Sequence, residues 1–461
     1  MKTSIVGENN STEPEANNGI VQNLPQEIVE EILSWLPIES IMTCRRVCKS
    51  WCKTIKDPSF VNLQLKRSRD QPLSYVLQDT GIGRFSSRWS QSGGKLFFLG
   101  TTEGEKAKEL SKIPLLGGGS VKRRSISSCN GLLCIAPTDD SETPIVVCNP
   151  ITKEHTVLPK PEDIGQYGFG NQVGIGFDAS SNKYKVARMY YLTANDNESY
   201  SFCEIITVGE DKSWRKIDLP FNGGFKVIPT ESGGAVFWEG ALHWICVHVE
   251  DRQWAALFIL RFDISKEEFQ FIQRHYKLAA SGRGKKLQLL ELEGSLILEE
   301  LTLQHPSIGW QHGTIRVFRF RKSVTTGEIC DDRISLYGNY TPPEEDPPHY
   351  TLSDTLNPYK QLLSMVSNRV KDPKFSPDII PDKLYSRDVN KEEVWKMKIS
   401  HKLLSVASNE EYWKVSPNKI MFWFPGEERY AHQEVQGIPK SFIPSGFRPT
   451  LVSIYSTNSL T

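Results

Sequence analysis

No stretch of this 461-residue chain approaches the roughly 18 consecutive apolar residues that span a bilayer. Its first 20 residues hold no apolar core of the length a secretion signal needs. They are rich in Asn, Glu and Ser and read as a disordered leader over residues 1–20. Net charge is also missing, with 55 basic against 55 acidic side chains. No global field therefore recruits nucleic acid or anionic lipid, which excludes both as general partners. The densest basic runs, Lys122-Arg123-Arg124 and Lys285-Lys286, are short and read as solvated loops. The nine cysteines are odd in number and show no regular close pairing. With no secretory signal, they point to reduced thiols in cytoplasm or nucleus rather than a disulfide framework.

Catalytic fingerprints are lacking too. There is no G-x-S-x-G, H-E-x-x-H, paired Cys-x-x-Cys or dinucleotide-binding pattern. The run 279–286, AASGRGKK, lacks the first Gly and the final Ser or Thr of a phosphate loop and reads as a turn. His243 and His248 are five apart in a strand-like run, so they fall on opposite faces and cannot share a metal. These absences favour no enzyme class and imply no cofactor or metal.

What the chain has is 38% apolar residues and 11 tryptophans in a length that allows more than one domain. Residues 24–60 pack short amphipathic helices into less chain than a self-sufficient core needs. Pro25 suits the first turn of a helix, and Glu27 follows near its positive end. Behind them Ile28, Ile32, Leu33 and Leu36 form one apolar stripe. Pro37 stops that helix. A second helix is expected to carry Ile41, Cys44, Val47, Cys48, Trp51 and Ile55 and to end at Asp57-Pro58. Cys44, Cys48 and Cys52 then lie along one side and read as small buried hydrophobes rather than metal ligands.

The residues Leu24-Pro25, Glu27-Ile28, Ile32-Leu33, Leu36-Pro37 and Arg46-Val47-Cys48-Lys49-x-Trp51 resemble the F-box in type and spacing. The resemblance implies docking on the Skp-type adaptor of a cullin-based ubiquitin ligase. Carried over by position, it makes Leu24, Pro25, Ile28, Ile32, Leu36, Pro37, Val47, Cys48 and Trp51 the adaptor-facing set. The helical module is expected over 21–66.

From about residue 72 the period changes, to short apolar runs punctuated by Gly, Asn, Asp and Pro. Similar units recur at 128–159, 173–220, 233–272 and 287–322. Three of them turn at Asn130-Gly131, Glu239-Gly240 and Glu293-Gly294. Gly131 and Gly240 are 109 positions apart with one unit between them, and Gly240 and Gly294 are 54 apart. Periods near 50 mean four-stranded propeller blades, and roughly 350 residues at about 50 each give six or seven. The phrases Val147-Cys148-Asn149-Pro150-x-Thr152, Gly176-Phe177-Asp178, Tyr184-Lys185-Val186 and Trp214-Arg215 resemble the plant F-box-associated domain, a kelch-like propeller. That resemblance implies a substrate-recognition platform. Asp178 and Asp263 each close a strand and open a polar turn, so they read as turn residues rather than catalytic ones.

The expected architecture is thus α plus all-β and multidomain: a small helical F-box, then a kelch-like β-propeller over 72–456. An irregular insertion is expected at about 325–390, with a short helix near 361–370. Strands return at 394–399 and 419–424, and 446–455 is expected to close the ring on the first blade. The expected function is substrate recognition for an SCF-type (Skp–cullin–F-box) ubiquitin ligase, without catalysis. The target is unknown, and Tyr167, Phe169, Tyr190 and Tyr191 are either its anchors or blade core. The alternatives are a non-degradative F-box role, such as a transcriptional cofactor, and a propeller glycan-binding module or enzyme.

Overall fold

Helix gives way to strand where the hydrophobic period changes, and the chain divides into two compact units, Met1–Arg67 and Ser68–Thr461. The computed structural model describes residues 25–69, 71, 74–79, 95–99, 106–110, 124–138, 143–161, 168–193, 199–220, 225–227, 234–249, 254–279, 285–292, 294–304, 312–322, 329–336, 419–424, 429–434 and 442–455. The leader, Leu24, Tyr167, residues 337–418 and the side chains of Phe169 and Tyr191 lie outside them. So do the expected helix at 361–370 and the strand at 394–399.

Among the described residues the first unit has four helices: α1 (Gln26–Trp35), α2 (Ile38–Cys44), α3 (Lys49–Lys56) and α4 (Pro58–Ser68). The single second helix expected from periodicity is thus two. The chain breaks at Arg45–Val47, where Cys48 takes an extended conformation and its Sγ accepts from the Trp51 N–H at 3.4 Å. That thiol caps α3 and is exposed, not buried as its spacing suggested. Asp57-Pro58 ends α3 but also starts α4. Asp57 Oδ1 accepts from Ser59 N–H at 2.9 Å, and proline at a first helical position loses no bond.

In the second unit the first sheet holds β1 (Ser74–Asp79), β2 (Leu96–Leu99) and β3 (Lys108–Glu109). The second holds β4 (Arg124–Cys129), β5 (Leu132–Pro137), β6 (Val146–Cys148) and β7 (His155–Val157). The third holds β8 (Gly168–Asp178), β9 (Lys183–Thr193), β10 (Ser199–Thr207) and β11 (Arg215–Ile217). The fourth has five strands, β12 (Phe225–Val227), β13 (Val236–Trp238), β14 (Ala241–Val249), β15 (Trp254–Asp263) and β16 (Glu268–Ala279). The fifth holds β17 (Lys285–Leu292), β18 (Ser295–Gln304), β19 (His312–Lys322) and β20 (Ile329–Leu336). A pair follows, β21 (Lys419–Phe424) with β22 (Arg429–Glu434). Finally β23 (Phe442–Phe447) returns to the first sheet beside β1. Strand β20 lies inside the stretch expected to be irregular; its alternation is masked by Asp331, Asp332 and Arg333, yet it pairs fully with β19.

The turn at Asn130-Gly131 joins β4 to β5 with φ of 50° and 82°, and Glu239-Gly240 joins β13 to β14 with 48° and 71°. Two consecutive positive φ values make the tight turn whose twist matches antiparallel strands, which is why glycine sits second. Successive sheets bury their faces against each other. Val76, Phe98 and Phe447 pack with Ile135, Val146 and Cys148, joining the first two sheets. Met189, Cys203 and Ile205 pack with Trp244, Leu260 and Phe262, joining the third and fourth. Ile245, Leu257 and Ile259 pack with Leu289, Leu298 and Phe320, joining the fourth and fifth. Four-stranded sheets stacked in this way are consistent with a propeller.

His243 on β14 is fully buried beside Trp238, with ring centroids 5.5 Å apart, and its Nδ1 donates to the Val236 carbonyl at 3.3 Å. Burial, helped by nearby Arg261, pushes its pKa down to about 3. The unfolded chain therefore takes up this proton first, and stability is lost as pH falls from about 6.5 towards 3. His243→Gln should flatten the pH dependence of unfolding free energy by about 1.4 kcal/mol per unit below pH 6.5. Urea titrations at pH 6.5 and 5 check this: parallel losses in wild type and variant would clear His243 as the source.

Candidate docking face and platform

Each helix of the first unit buries apolar side chains. Leu33 of α1, Ile38 and Ile41 of α2, Ile55 of α3, and Phe60 and Leu65 of α4 are buried. The stripe read along α1 therefore splits. Leu33 faces inward, while Ile28, Ile32 and Trp35 remain 45%, 50% and 55% exposed, at i, i+4 and i+7 on one side. Val47, in the α2–α3 turn, is 63% exposed. Of the other adaptor-facing candidates, Pro25, Pro37 and Cys48 are exposed, and Leu36 and Trp51 are half-buried. The charged frame includes Glu31, whose carboxyl is held below the usual range by a hydrogen bond from Arg67 and another from Trp35.

Two parts of this face escaped the sequence reading. Trp35 carries a signal that could have found it, since it continues the Ile28–Ile32 spacing. Arg67 carries none, because it reaches α1 only through α4, which the Asp57-Pro58 break concealed.

On the β unit, Asp178 and Asp263 are turn residues. Burial alone would raise the Asp178 carboxyl, but hydrogen bonds from Ser265, Ser180, Ser181 and Lys185 hold it far below the usual range. The Lys185 ammonium lies 3.0 Å from Asp178 and 2.9 Å from Glu267, so it ties the third sheet to the β15–β16 turn. Asp263 is likewise opposed by burial, yet is lowered by the Lys266 N–H and Arg261. Both Asp178 oxygens are engaged within the cluster, Oδ1 by Ser180 and Ser265 and Oδ2 by Ser181 and Lys185. Tyr190 is buried and stacked on Phe202 with centroids 5.4 Å apart, so it belongs to the blade core rather than to a target-facing set. Among the described residues no three His, Cys, Asp or Glu side chains gather as metal ligands, and no helix is long and apolar enough to cross a membrane.

The described residues thus form a helical unit with an outward apolar stripe, followed by stacked sheets of mostly four strands. Residues 21–63 match the F-box domain, and residues 90–304 match the F-box associated beta propeller domain. The chain thus carries an F-box match followed by an F-box associated beta propeller match. An F-box/LRR-repeat/kelch-repeat protein of Arabidopsis thaliana is 25% identical over 54% of this chain and 60% of its own length. An Arabidopsis thaliana F-box protein is 28% identical over 57% of this chain and 58% of its own. The chain thus spans about three fifths of the length of these relatives. A Trypanosoma rangeli sialidase in complex with the inhibitor DANA gives a TM-score of 0.29 at 11% identity, over 45% of this chain and 37% of that one. A likeness of that size carries no argument.

Proposed function

We propose that this protein is the substrate-recognition subunit of an SCF-type ubiquitin ligase. The F-box, over 21–66, docks a Skp-type adaptor and through it a cullin; the β unit, over 72–456, holds a target protein. The observation that carries this reading is the exposed stripe Ile28, Ile32 and Trp35 beside the buried Leu33, within the F-box match. Leu24, Pro25, Ile28, Ile32, Leu36, Pro37, Val47, Cys48 and Trp51 form the adaptor-facing set. Burying one Leu or Ile side chain contributes about 1.5–3 kcal/mol, so a few of them drive an interface of ordinary size after ordering costs.

The chain itself makes and breaks no bond. It raises the effective concentration of target lysines near the charged ubiquitin carrier. It works in cytoplasm or nucleus, with no nucleic-acid or membrane partner. The platform is a kelch-like ring of six or seven blades; six sheets among the described residues and the return of β23 to β1 support it.

Adaptor pull-down tests the face. Ile32→Asp places a charge in the apolar contact and should abolish capture, and Trp51→Ala should weaken it about tenfold or more. Wild-type capture by both variants would show that the adaptor binds elsewhere or not at all.

A further inference from the structure

The C-terminal end of α1 carries a construction that the F-box match does not account for. Residue Arg67 lies beyond position 63, where that match ends, yet α4 brings it back onto α1. Its guanidinium carbon sits 4.1 Å from the centre of the Trp35 ring. Its Nη1 donates to the Glu31 carbonyl oxygen at 3.0 Å and to Ser34 Oγ, and its Nη2 pairs with the Glu31 carboxylate. The same carboxylate accepts from Trp35 Nε1 at 3.2 Å. Indole, carboxylate and guanidinium thus close a triangle that pins an exposed tryptophan. The Arg67 side chain is itself mostly covered, at 14% exposure.

A surface tryptophan ordinarily gains nothing by being held still in the open. Here one face of the ring is stacked against a cation and its N–H is engaged, while more than half of the residue stays in solvent. It continues the line of Ile28 and Ile32 at the next helical turn. Fixing its rotamer beforehand removes an ordering cost that binding would otherwise meet. We propose that Trp35 is an anchor of the adaptor-docking face and Arg67 its positioning residue. The contact then extends along the whole of α1 and recruits α4. This rests on the adaptor-binding reading above, and the partner is accordingly an adaptor presenting an apolar groove.

The test is adaptor affinity of the full chain by titration calorimetry, with unfolding midpoints recorded to confirm that each variant folds. Trp35→Ala should weaken binding about tenfold or more, as central tryptophan anchors do. Arg67→Gln should weaken it roughly three- to fivefold when Trp35 is present and not at all when it is Ala, because groups acting through one another are non-additive. Arg67→Lys keeps the charge but not the flat stack or the fork, and should behave as Arg67→Gln does. If Trp35→Ala binds like wild type while Ile32→Asp loses binding, Trp35 is no anchor and the docking reading stands. If Ile32→Asp also binds normally, the docking reading itself fails. An equal loss from Arg67→Gln in both backgrounds overturns the positioning role alone.

Discussion

Gly234→Ala should destabilise the β unit by about 3 kcal/mol, at the upper end of what an added methyl costs in a packed interior. A Cβ at this position would lie 2.7 Å from the Ile126 carbonyl carbon, nearer still to its oxygen, and 3.0 Å from Ser127 N. All three are backbone atoms of β4, so no side chain can turn aside. Movement of residue 234 is also restrained from the other direction. Ala235 N donates to the Val173 carbonyl at 2.8 Å, and its carbonyl accepts from Ser127 Oγ at 2.7 Å. The same hydroxyl accepts from Ile175 N–H at 3.1 Å. One serine therefore stitches the second, third and fourth sheets, and relief of the clash must break those bonds. Gly240→Ala is the matched control. Its φ is +71° with nothing within 4 Å, so it should cost only the left-handed backbone penalty, about 1 kcal/mol. Urea unfolding followed by tryptophan fluorescence separates the two. Equal midpoints for both variants would mean that β4 yields easily and the seam is loose.

That seam marks where sequence reading stops. The change of period, the Asn130-Gly131 and Glu239-Gly240 turns, and the Asp178 and Asp263 strand ends are local signals, and local structure follows them. Ser125, Ser127, Gly234 and Ala235 are small residues with no pattern among them, and their meaning lies in contacts between sheets. The closing strand illustrates a second limit. The run 446–455 has the better strand composition, but the paired strand is β23, Phe442–Phe447, with Pro444 opposite Leu77. Proline is tolerated there because β23 ends its sheet, and an edge position can spare one N–H. Residues 448–455 are instead irregular; Leu451, Val452 and Ile454 are buried with help from partners elsewhere, while Tyr455 is exposed. The exposed stripe of α1 was more legible than the contacts between sheets, because a helical stripe is written in consecutive turns. Its clamp from α4 was not, since Arg67 is an ordinary charge until the fold brings it to Trp35.

Those distant partners make Asn149→Ala the second large effect, about 2–4 kcal/mol, with the C-terminal tail released first. Asn149 follows β6 and is fully buried. Its Nδ2 donates to the carbonyls of Thr450 at 3.0 Å and Val452 at 2.7 Å. Its Oδ1 accepts from Ile151 N–H at 2.8 Å and Thr152 N–H at 3.3 Å. The Asn-Pro-x-Thr phrase is thus a latch: one amide shapes the β6–β7 turn and grips the tail that follows β23. Nearby bonds from Thr450 Oγ1 to the Asn130 carbonyl, 2.6 Å, and from Ile454 N–H to Glu154 Oε2, 3.2 Å, depend on that grip. Truncation leaves two carbonyls and two N–H groups without their partner. Limited proteolysis read by mass should then show cleavage after residue 447 in the variant, under conditions where wild type stays whole. Asn149→Asp sharpens the test. It keeps the acceptor side but turns a carboxylate oxygen towards two carbonyls, which raises its pKa above the unfolded value near 4. The protonated acid can still donate one bond, so the variant's deficit relative to wild type should shrink as pH falls from 8 to 5. A tail equally protected in wild type and Asn149→Ala, or a deficit in Asn149→Asp that ignores pH, would mean that the tail is held by the β1–β23 pairing instead.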